Sequence, residues 1–215
     1  MRKRLFGTDG IRGLVGQYPL TEEVVLRLGM AIGKSVASAR AKGINKVIIG
    51  KDTRSSCQMI QETLAPGILS RGIEVIDIGI VPTPAVAFLT KRFHAGMGVM
   101  ISASHNQMDD NGIKLFSENG YKVSDDVENQ IEEFIYQGLN DRCDSKFPTD
   151  GLKGYAEIIP PGENLYQMYV SNVLESMEKR LDLKGMKVVI DCANGSVSGI
   201  VSSIFGKLGL EVITI

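Results

Sequence analysis

The sequence predicts an α/β protein: a three-layer α/β/α sandwich built on a mixed sheet, followed by an incomplete second α/β domain. Three observations predict it. Short apolar runs alternate with segments whose apolar residues recur at helical spacing. The run over 97–103 is apolar almost throughout, as a strand covered on both faces must be. A Glu118-Asn119-Gly120 turn sits between two short apolar stretches and adds an antiparallel pair to an otherwise parallel pattern.

The elements follow in order. Thr21 caps a helix whose first turn carries Glu22 and Glu23, which suit the positive end of the helix dipole. Val24, Val25, Leu28, Ile32 and Val36 form its apolar face, and Gly43 marks the stop. Lys46 to Gly50 is a strand. A helix over 56–70 closes at Gly72, and Pro66 inside it predicts a kink or an early break. Ile73 to Gly79 is the next strand. In the Val81-Pro82-Thr83-Pro84 turn, Thr83 is the cap and Pro84 the first helical residue of a helix to Phe93. A strand over 97–103 follows. Ile113 to Phe116 and Tyr121 to Val123 are the arms of the hairpin. Ser124, Asp125 and Asp126 open a helix through Leu139.

Pro148, Gly151, Gly154, Pro160, Pro161 and Gly162 give the stretch over 141–162 the composition of a linker. After it come a helix (163–181), a strand (187–191), a loop (192–195), a helix (196–208) and a strand (210–215). One βαβ unit cannot cover both faces of its sheet, and domains rarely end inside a core strand. The sequence therefore predicts the N-terminal part of a longer protein: a first domain over 1–143, a linker over 144–162, and the start of a second domain over 163–215. Apolar surface beyond residue 186 is expected to be exposed.

Lysine and arginine (24) nearly cancel aspartate and glutamate (25), leaving a net charge of −1. That balance predicts neither a nucleic-acid partner nor attraction to an anionic membrane. No apolar run approaches the roughly 20 residues that span a bilayer. The basic start, Met1-Arg2-Lys3-Arg4, lacks the apolar stretch of a signal peptide. Cys57, Cys143 and Cys192 are odd in number and far apart, which suits a reducing cytoplasm. The expected partner is a small molecule; a homodimer is left open.

The strand over 97–103 runs into Ser104, His105 and Asn106, and open α/β sheets place their chemistry at that edge. Alternation along an extended chain puts Ser102 and Ser104 on one side, with Ser104 the more exposed. Most strand-end serines do no more than bond backbone. The surroundings lack the G-x-S-x-G of a hydrolase elbow. His105 follows Ser104 directly, so in extended chain it points away and pairs awkwardly with the hydroxyl. It can donate to a phosphate oxygen or a sugar hydroxyl, or bond the backbone of its loop.

Asn111-Gly112 is a turn signal, and Lys114 lies on the returning strand. A tight return brings its ammonium near Ser104. A phosphoserine, with about −1.5 to −2 charges, needs such cations, and a partly desolvated lysine can carry a proton. A solvated strand lysine is the plain alternative. Asp109 and Asp110 read as solvated turn acids. Residues 6–13 are glycine-rich, with Arg12 offering a fork for phosphate, but match no nucleotide motif. Asp52, Arg54 and Ser55 read as a set that pairs internally and holds a strand-to-helix loop.

Taken together, Phe6-Gly7-Thr8-Asp9-Gly10-Ile11-Arg12-Gly13, Gly50-Lys51-Asp52-Thr53-Arg54, Val81-Pro82-Thr83-Pro84-Ala85-Val86, Ile101-Ser102-Ala103-Ser104-His105-Asn106, Asp110-Asn111-Gly112-Ile113-Lys114 and Asp191-Cys192-Ala193-Asn194-Gly195 resemble the α-D-phosphohexomutase superfamily. The resemblance implies that Ser104 is the serine that carries phosphate and passes it to a hexose phosphate through a 1,6-bisphosphate. It implies Ser104, Lys114, His105 and Arg12 as catalytic residues, with Lys114 moving a proton and Arg12 steadying the phosphate. Ser102, Asn106 and Arg12 are its phosphate-binding set.

The resemblance also implies Mg2+, held by Ser104 through its phosphate and by a D-x-D-x-D-R loop that this chain lacks. The wording of the opening and of the serine segment favours glucosamine 6-phosphate over glucose or mannose phosphates as substrate. Without the metal and sugar loops, the chain alone is expected to be inactive; a silent binding or dimerisation module is the reading from another class. Gln107 stands where the family commonly has proline, which loosens the serine loop. Cys57 stands where glycine is usual, which changes only a helix start.

Overall fold

The structure, a computed structural model, describes residues 4–38, 43–140, 165–177 and 183–215. The expected linker over 144–162 and Cys143 lie outside these residues. In chain order the elements are β1 (Ile11–Leu14), α1 (Glu22–Ala37), β2 (Lys46–Lys51), α2 (Cys57–Leu69), β3 (Glu74–Ile80), α3 (Thr83–Arg92), β4 (Met97–Ile101), β5 (Asp110–Ser117), α4 (Asp125–Asn140), α5 (Leu165–Glu175), β6 (Lys187–Ile190), α6 (Val201–Lys207) and β7 (Glu211–Thr214).

Five strands form one mixed sheet in the order β1-β5-β4-β2-β3. β2 is parallel to β3 and β4, β5 runs antiparallel to β4, and β1 antiparallel to β5. Alternate residues of β2 feed two cores, as a strand's period of two requires. Val47 and Ile49 pack with Val99, Ile101 and Ile113 beneath α1, α2 and α4. Ile48 packs with Ile76, Ile78 and Met100 beneath α3, where Leu165 and Tyr169 of α5 also lie. The three-layer sandwich is therefore as expected, and α5 helps to cover its second face, with Tyr169 6.2 Å from Phe88 between ring centroids.

α1 and α2 pack closely because each carries glycine at the crossing. A Cβ on Gly29 would lie 2.1 Å from the Leu64 carbonyl oxygen, and one on Gly67 2.4 Å from that of Leu26. Thr21 caps α1 as its sequence suggests, accepting the Val24 N–H at 3.4 Å.

Several boundaries differ from the sequence reading, each for a local reason. Residues 11–14, which the sequence did not mark as a strand, are an edge strand paired with β5. α2 continues through Pro66 to Leu69. Leu64, Ala65, Gly67 and Ile68 around it are buried, and their burial outweighs the missing hydrogen bond. α3 is capped by Pro82 rather than Thr83, because the Ala85 N–H already reaches the Pro82 carbonyl at 2.8 Å. Pro84 still fits, since first-turn N–H groups have no helical partner.

The turn at Gly120 forms, but its second arm is a single bridge between Phe116 and Lys122. Tyr121 faces solvent, and Ser124 already starts the next helix by accepting the Val127 N–H. α6 starts at Val201 instead of 196, because Ala193 and Asn194 are both left-handed (φ 47 and 51) and a turn closes from Cys192 to Gly195.

β6 and β7 form a separate parallel pair. Met186, Val189, Ile213 and Ile215 on or beside this pair are about half exposed or more, as the sequence predicts for the stretch beyond residue 186. The 192–195 turn also touches the first sheet's edge, where the Thr53 hydroxyl donates to the Asn194 carbonyl at 2.8 Å. No described helix is long and apolar enough to cross a membrane.

Candidate active site

The N-terminal segment is delivered to the sheet edge by α4. Glu132 accepts the N–H groups of Leu5 and Phe6 at 2.9 and 2.8 Å. Buried Glu128 pairs with Arg4 at 3.2 Å and Lys122 at 3.0 Å. Two carboxylates on one helix thus tie down the chain just before the glycines, and Phe6 is sunk in the core. The Gly7 N–H then closes a turn on the Gly10 carbonyl at 2.9 Å. Gly10 has φ 84, and a Cβ there would lie 2.3 Å from the Ile113 carbonyl oxygen. Only glycine allows the turn to press this closely on β5. The result sets Asp9 and Arg12 beside Lys114.

β4 ends at Ile101, two residues short of the expected 103. Ser102 is buried. Its N–H donates to the Gly112 carbonyl, and its hydroxyl accepts the Ser104 N–H at 2.9 Å. Ser104 is exposed and left-handed, with φ 60. The expectation that Ser102 and Ser104 share a side of an extended strand is therefore corrected: one hydroxyl faces inward and braces the other residue's backbone.

The expectation for His105 is corrected with it. In a turn, neighbouring side chains need not diverge, and Ser104 Oγ lies 3.3 Å from His105 Nδ1. Asn106 donates from Nδ2 to Asp110 at 3.0 Å, and its Oδ1 faces Arg12 Nη1 at 3.5 Å. Asp110 is thus a partner within the loop rather than a merely solvated acid. Lys114 pairs with Met100 across the sheet. Its ammonium lies on Asp9 Oδ2 at 2.7 Å, and that same oxygen accepts from Arg12 Nη2 at 2.8 Å. Lys114 is therefore linked to the serine loop through Asp9 and Arg12. Partial burial pushes the Asp9 carboxyl up, but Lys114 and Arg12 together outweigh it and hold the carboxyl below its ordinary value.

A residue from 50–56 organises the loop. Asp52 and Arg54 pair as expected, Nε to carboxylate at 3.2 Å. The Arg54 fork then reaches across to the serine loop, donating to the carbonyls of Ser104 (3.1 Å), Asn106 (2.9 Å) and Asp110 (2.9 Å), and to that of Gln107. The Gln107 carbonyl is thus one of the four that Arg54 holds. The hydroxyl used by this segment is that of Ser56, not Ser55: it accepts from buried Asn111 at 2.9 Å. Cys57 does more than begin a helix. Its thiol is buried between Asp52 (3.1 Å), the Ile101 carbonyl and Asn111. Burial first, with the Asp52 carboxylate adding to it, pushes the thiol up to about 11.

The structure thus brings Arg12, Ser102, Ser104, His105, Asn106 and Lys114 to one sheet edge. Sequence reasoning missed Arg54 as the clamp and Asp9 as the link between cations. An arginine three residues past a strand end, at the edge where the serine strand also ends, was the available signal for the first. An open hollow of about 380 Å3 is lined by Arg4, Leu5, Gly7, Thr8, Asp9, Gly10 and Arg12. The arrangement suits an anion on an exposed serine: two cations, a histidine and a loop whose carbonyls are already engaged by Arg54. Among the described residues, no three His, Cys, Asp or Glu side chains gather where they could hold a metal ion.

Residues 3–141 match the family model described as phosphoglucomutase/phosphomannomutase, alpha/beta/alpha domain I. A phosphoglucosamine mutase of Cereibacter sphaeroides is 44% identical over 99% of this chain and 45% of its own length. Another, from Rhizobium johnstonii, is 39% identical over 100% of this chain and 46% of its own length. The chain thus spans about half the length of the curated relatives it matches. Among solved structures, a phosphoglucomutase/phosphomannomutase family protein from Burkholderia thailandensis aligns over 99% of this chain and 43% of that one, with a TM-score of 0.75. The open form of the phosphoglucomutase parafusin from Paramecium aligns over the same shares with a TM-score of 0.68. At 24% and 16% identity these two share the fold.

Proposed function

The chain belongs to the phosphoglucomutase/phosphomannomutase family, and from that membership we propose that the protein containing it interconverts glucosamine 6-phosphate and glucosamine 1-phosphate through a phosphorylated Ser104. The observation that carries the reading is the placement of Ser104. It is exposed, left-handed at the strand end, and braced by Ser102 and Arg54, with Arg12 and Lys114 held beside its loop.

In the first half-reaction a sugar hydroxyl attacks phosphorus. The bond from phosphorus to Ser104 Oγ breaks, the hydroxyl gives up its proton, and Oγ takes one up. The bound 1,6-bisphosphate then turns round and returns its other phosphoryl group to Ser104. Catalysis of such transfers rests on positioning and charge stabilisation. Arg12 steadies the phosphoryl oxygens with its fork, and Lys114 moves the proton. His105, 3.3 Å from Oγ, donates to the serine or to the phosphate. Asn106 and Ser102 keep the loop in register with Arg12 and Gly112.

A bound magnesium ion supplies charge neutralisation in such a site. The described residues do not by themselves fit one: of the carboxylates near Ser104, Asp9 is taken by Arg12 and Lys114 and Asp110 by Asn106, and no three metal-ligating side chains gather among the described residues. Two of the three cysteines, Cys57 and Cys192, are buried free thiols. They suit a reducing, cytoplasmic setting.

Glucosamine phosphates are preferred because relatives that match 99–100% of this chain at 39–44% identity are phosphoglucosamine mutases. Glucose or mannose phosphates are the second reading, favoured by the phosphoglucomutase/phosphomannomutase family model that residues 3–141 match. The test is an assay of the complete protein on the 6-phosphates of glucosamine, glucose and mannose. Glucosamine 6-phosphate is expected to give the highest kcat/KM; preference for either other sugar overturns the reading. The 215-residue chain alone is expected to show no turnover.

A further inference from the structure

Asp9 has no role in the chemistry assigned above, yet it holds both cations of the site. One oxygen, Oδ2, accepts from Lys114 at 2.7 Å and from Arg12 at 2.8 Å. The exposures order the three groups: Lys114 is 13% exposed, Arg12 30% and Asp9 51%. The cations lie inside and the carboxylate outside, between them and solvent. The Asp9 backbone is fixed by the Gly7–Gly10 turn, which glycine presses onto β5 beside Lys114. Arg12 turns its other terminal nitrogen to Asn106, two residues after Ser104.

We propose that Asp9 is a positioning residue that competes with the phosphoryl group for Arg12 and Lys114, holding the two cations whenever phosphate is not between them. The inference rests on the mutase reading for its purpose. A desolvated lysine beside an arginine needs an anion. During turnover the anion on Ser104 departs with the sugar and returns, so a fixed carboxylate keeps the cations paired at every stage. A phosphoserine, with about −1.5 to −2 charges, outbids a carboxylate of one charge for the same fork. The carboxylate still weakens the grip on phosphate, which favours passing it on. Partial burial opposes ionisation of Asp9, but the two cations keep the carboxyl below its ordinary value, so it is charged at neutral pH and able to compete.

The experiment is a titration of the 215-residue chain with inorganic phosphate, read by amide chemical shifts of Gly10 to Gly13 and Ser104 to Asn106. Four proteins are compared: the unaltered chain, Asp9→Asn, Asp9→Glu and Asp109→Asn. The Asp9→Asn chain is expected to bind phosphate about tenfold more tightly, because one like charge beside the anion is gone. Asp9→Glu, which keeps the charge, and Asp109→Asn, which changes a carboxylate of the neighbouring loop, are expected to match the unaltered chain. A merely structural role for Asp9 would weaken binding in Asp9→Asn. Equal or weaker binding by Asp9→Asn, or the same tightening in Asp109→Asn, overturns the proposal, as does no detectable binding by any of the four. The sugar-phosphate assay of the complete protein fails or succeeds separately, so loss of the mutase reading and loss of this inference are distinguishable.

Discussion

The Arg54 guanidinium donates to the carbonyl of Ser104 at 3.1 Å, and Ser104 is the residue of its loop held in the left-handed region, at φ 60. Such a conformation costs a non-glycine residue about 1–2 kcal/mol and persists only where its surroundings over-determine it. Here one planar fork, backed by Asp52, engages four carbonyls of the loop. Lysine has the charge without the fork. In the complete enzyme Arg54→Lys is expected to lower kcat about 10–100-fold through misplacement of the serine, with faster amide exchange over residues 104–107. An unchanged kcat would show that the clamp does not position the nucleophile.

Ser104→Ala is expected to abolish turnover of the complete enzyme. Ser102→Ala removes one hydrogen bond to the Ser104 N–H, at a cost of about 1 kcal/mol, and is expected to leave measurable activity. Phosphopeptide mass spectrometry of the active enzyme should find phosphate on Ser104. Phosphate on Ser102 instead would reverse the assignment.

Cys57 makes stability depend on alkaline pH. In the unfolded chain the thiol ionises near 9.0, whereas burial in the native state holds its proton until about 11. Stability is fully present below pH 9 and falls as pH rises toward 11, because the unfolded state sheds the proton first. Urea unfolding between pH 8 and 11 should show this fall, and Cys57→Ala should reduce it. Native Cys57 should also react with iodoacetamide far more slowly than the same thiol in urea.

Gly29→Ala is expected to destabilise the chain by about 1–3 kcal/mol, since its Cβ would strike the Leu64 carbonyl at 2.1 Å. Gly206, in α6, meets nothing within 4 Å and serves as the contrast. Gly206→Ala is expected to be neutral or stabilising by up to about 1 kcal/mol. Thermal unfolding of the two variants measures both; equal melting temperatures would contradict the close helix crossing.

The regular elements were legible wherever a period or a cap acts over neighbouring residues. Thr21 with Glu22 and Glu23 announces α1, and the apolar run of β4 announces a strand covered on both faces. Legibility failed where a distant partner decides. β1 is a strand because β5 offers it an edge. The hairpin's second arm shrinks to one bridge because Lys122 is drawn to Glu128 and Ser124 starts α4. Pro66 stays inside its helix because the residues around it are buried.

At the candidate site, the motifs and their resemblance to a known family named Ser104, His105, Asn106, Lys114 and Arg12 as candidates, a hydroxyl at a sheet edge with cations near it. Tertiary structure alone decided how those groups meet. It turned Ser104 out of the strand and against His105, sent the Lys114 ammonium to Asp9, and gave the serine loop to Arg54. The reason is physical: backbone period and capping are interactions over a few residues, whereas a guanidinium fork or a shared carboxylate is satisfied by whatever groups folding carries to it.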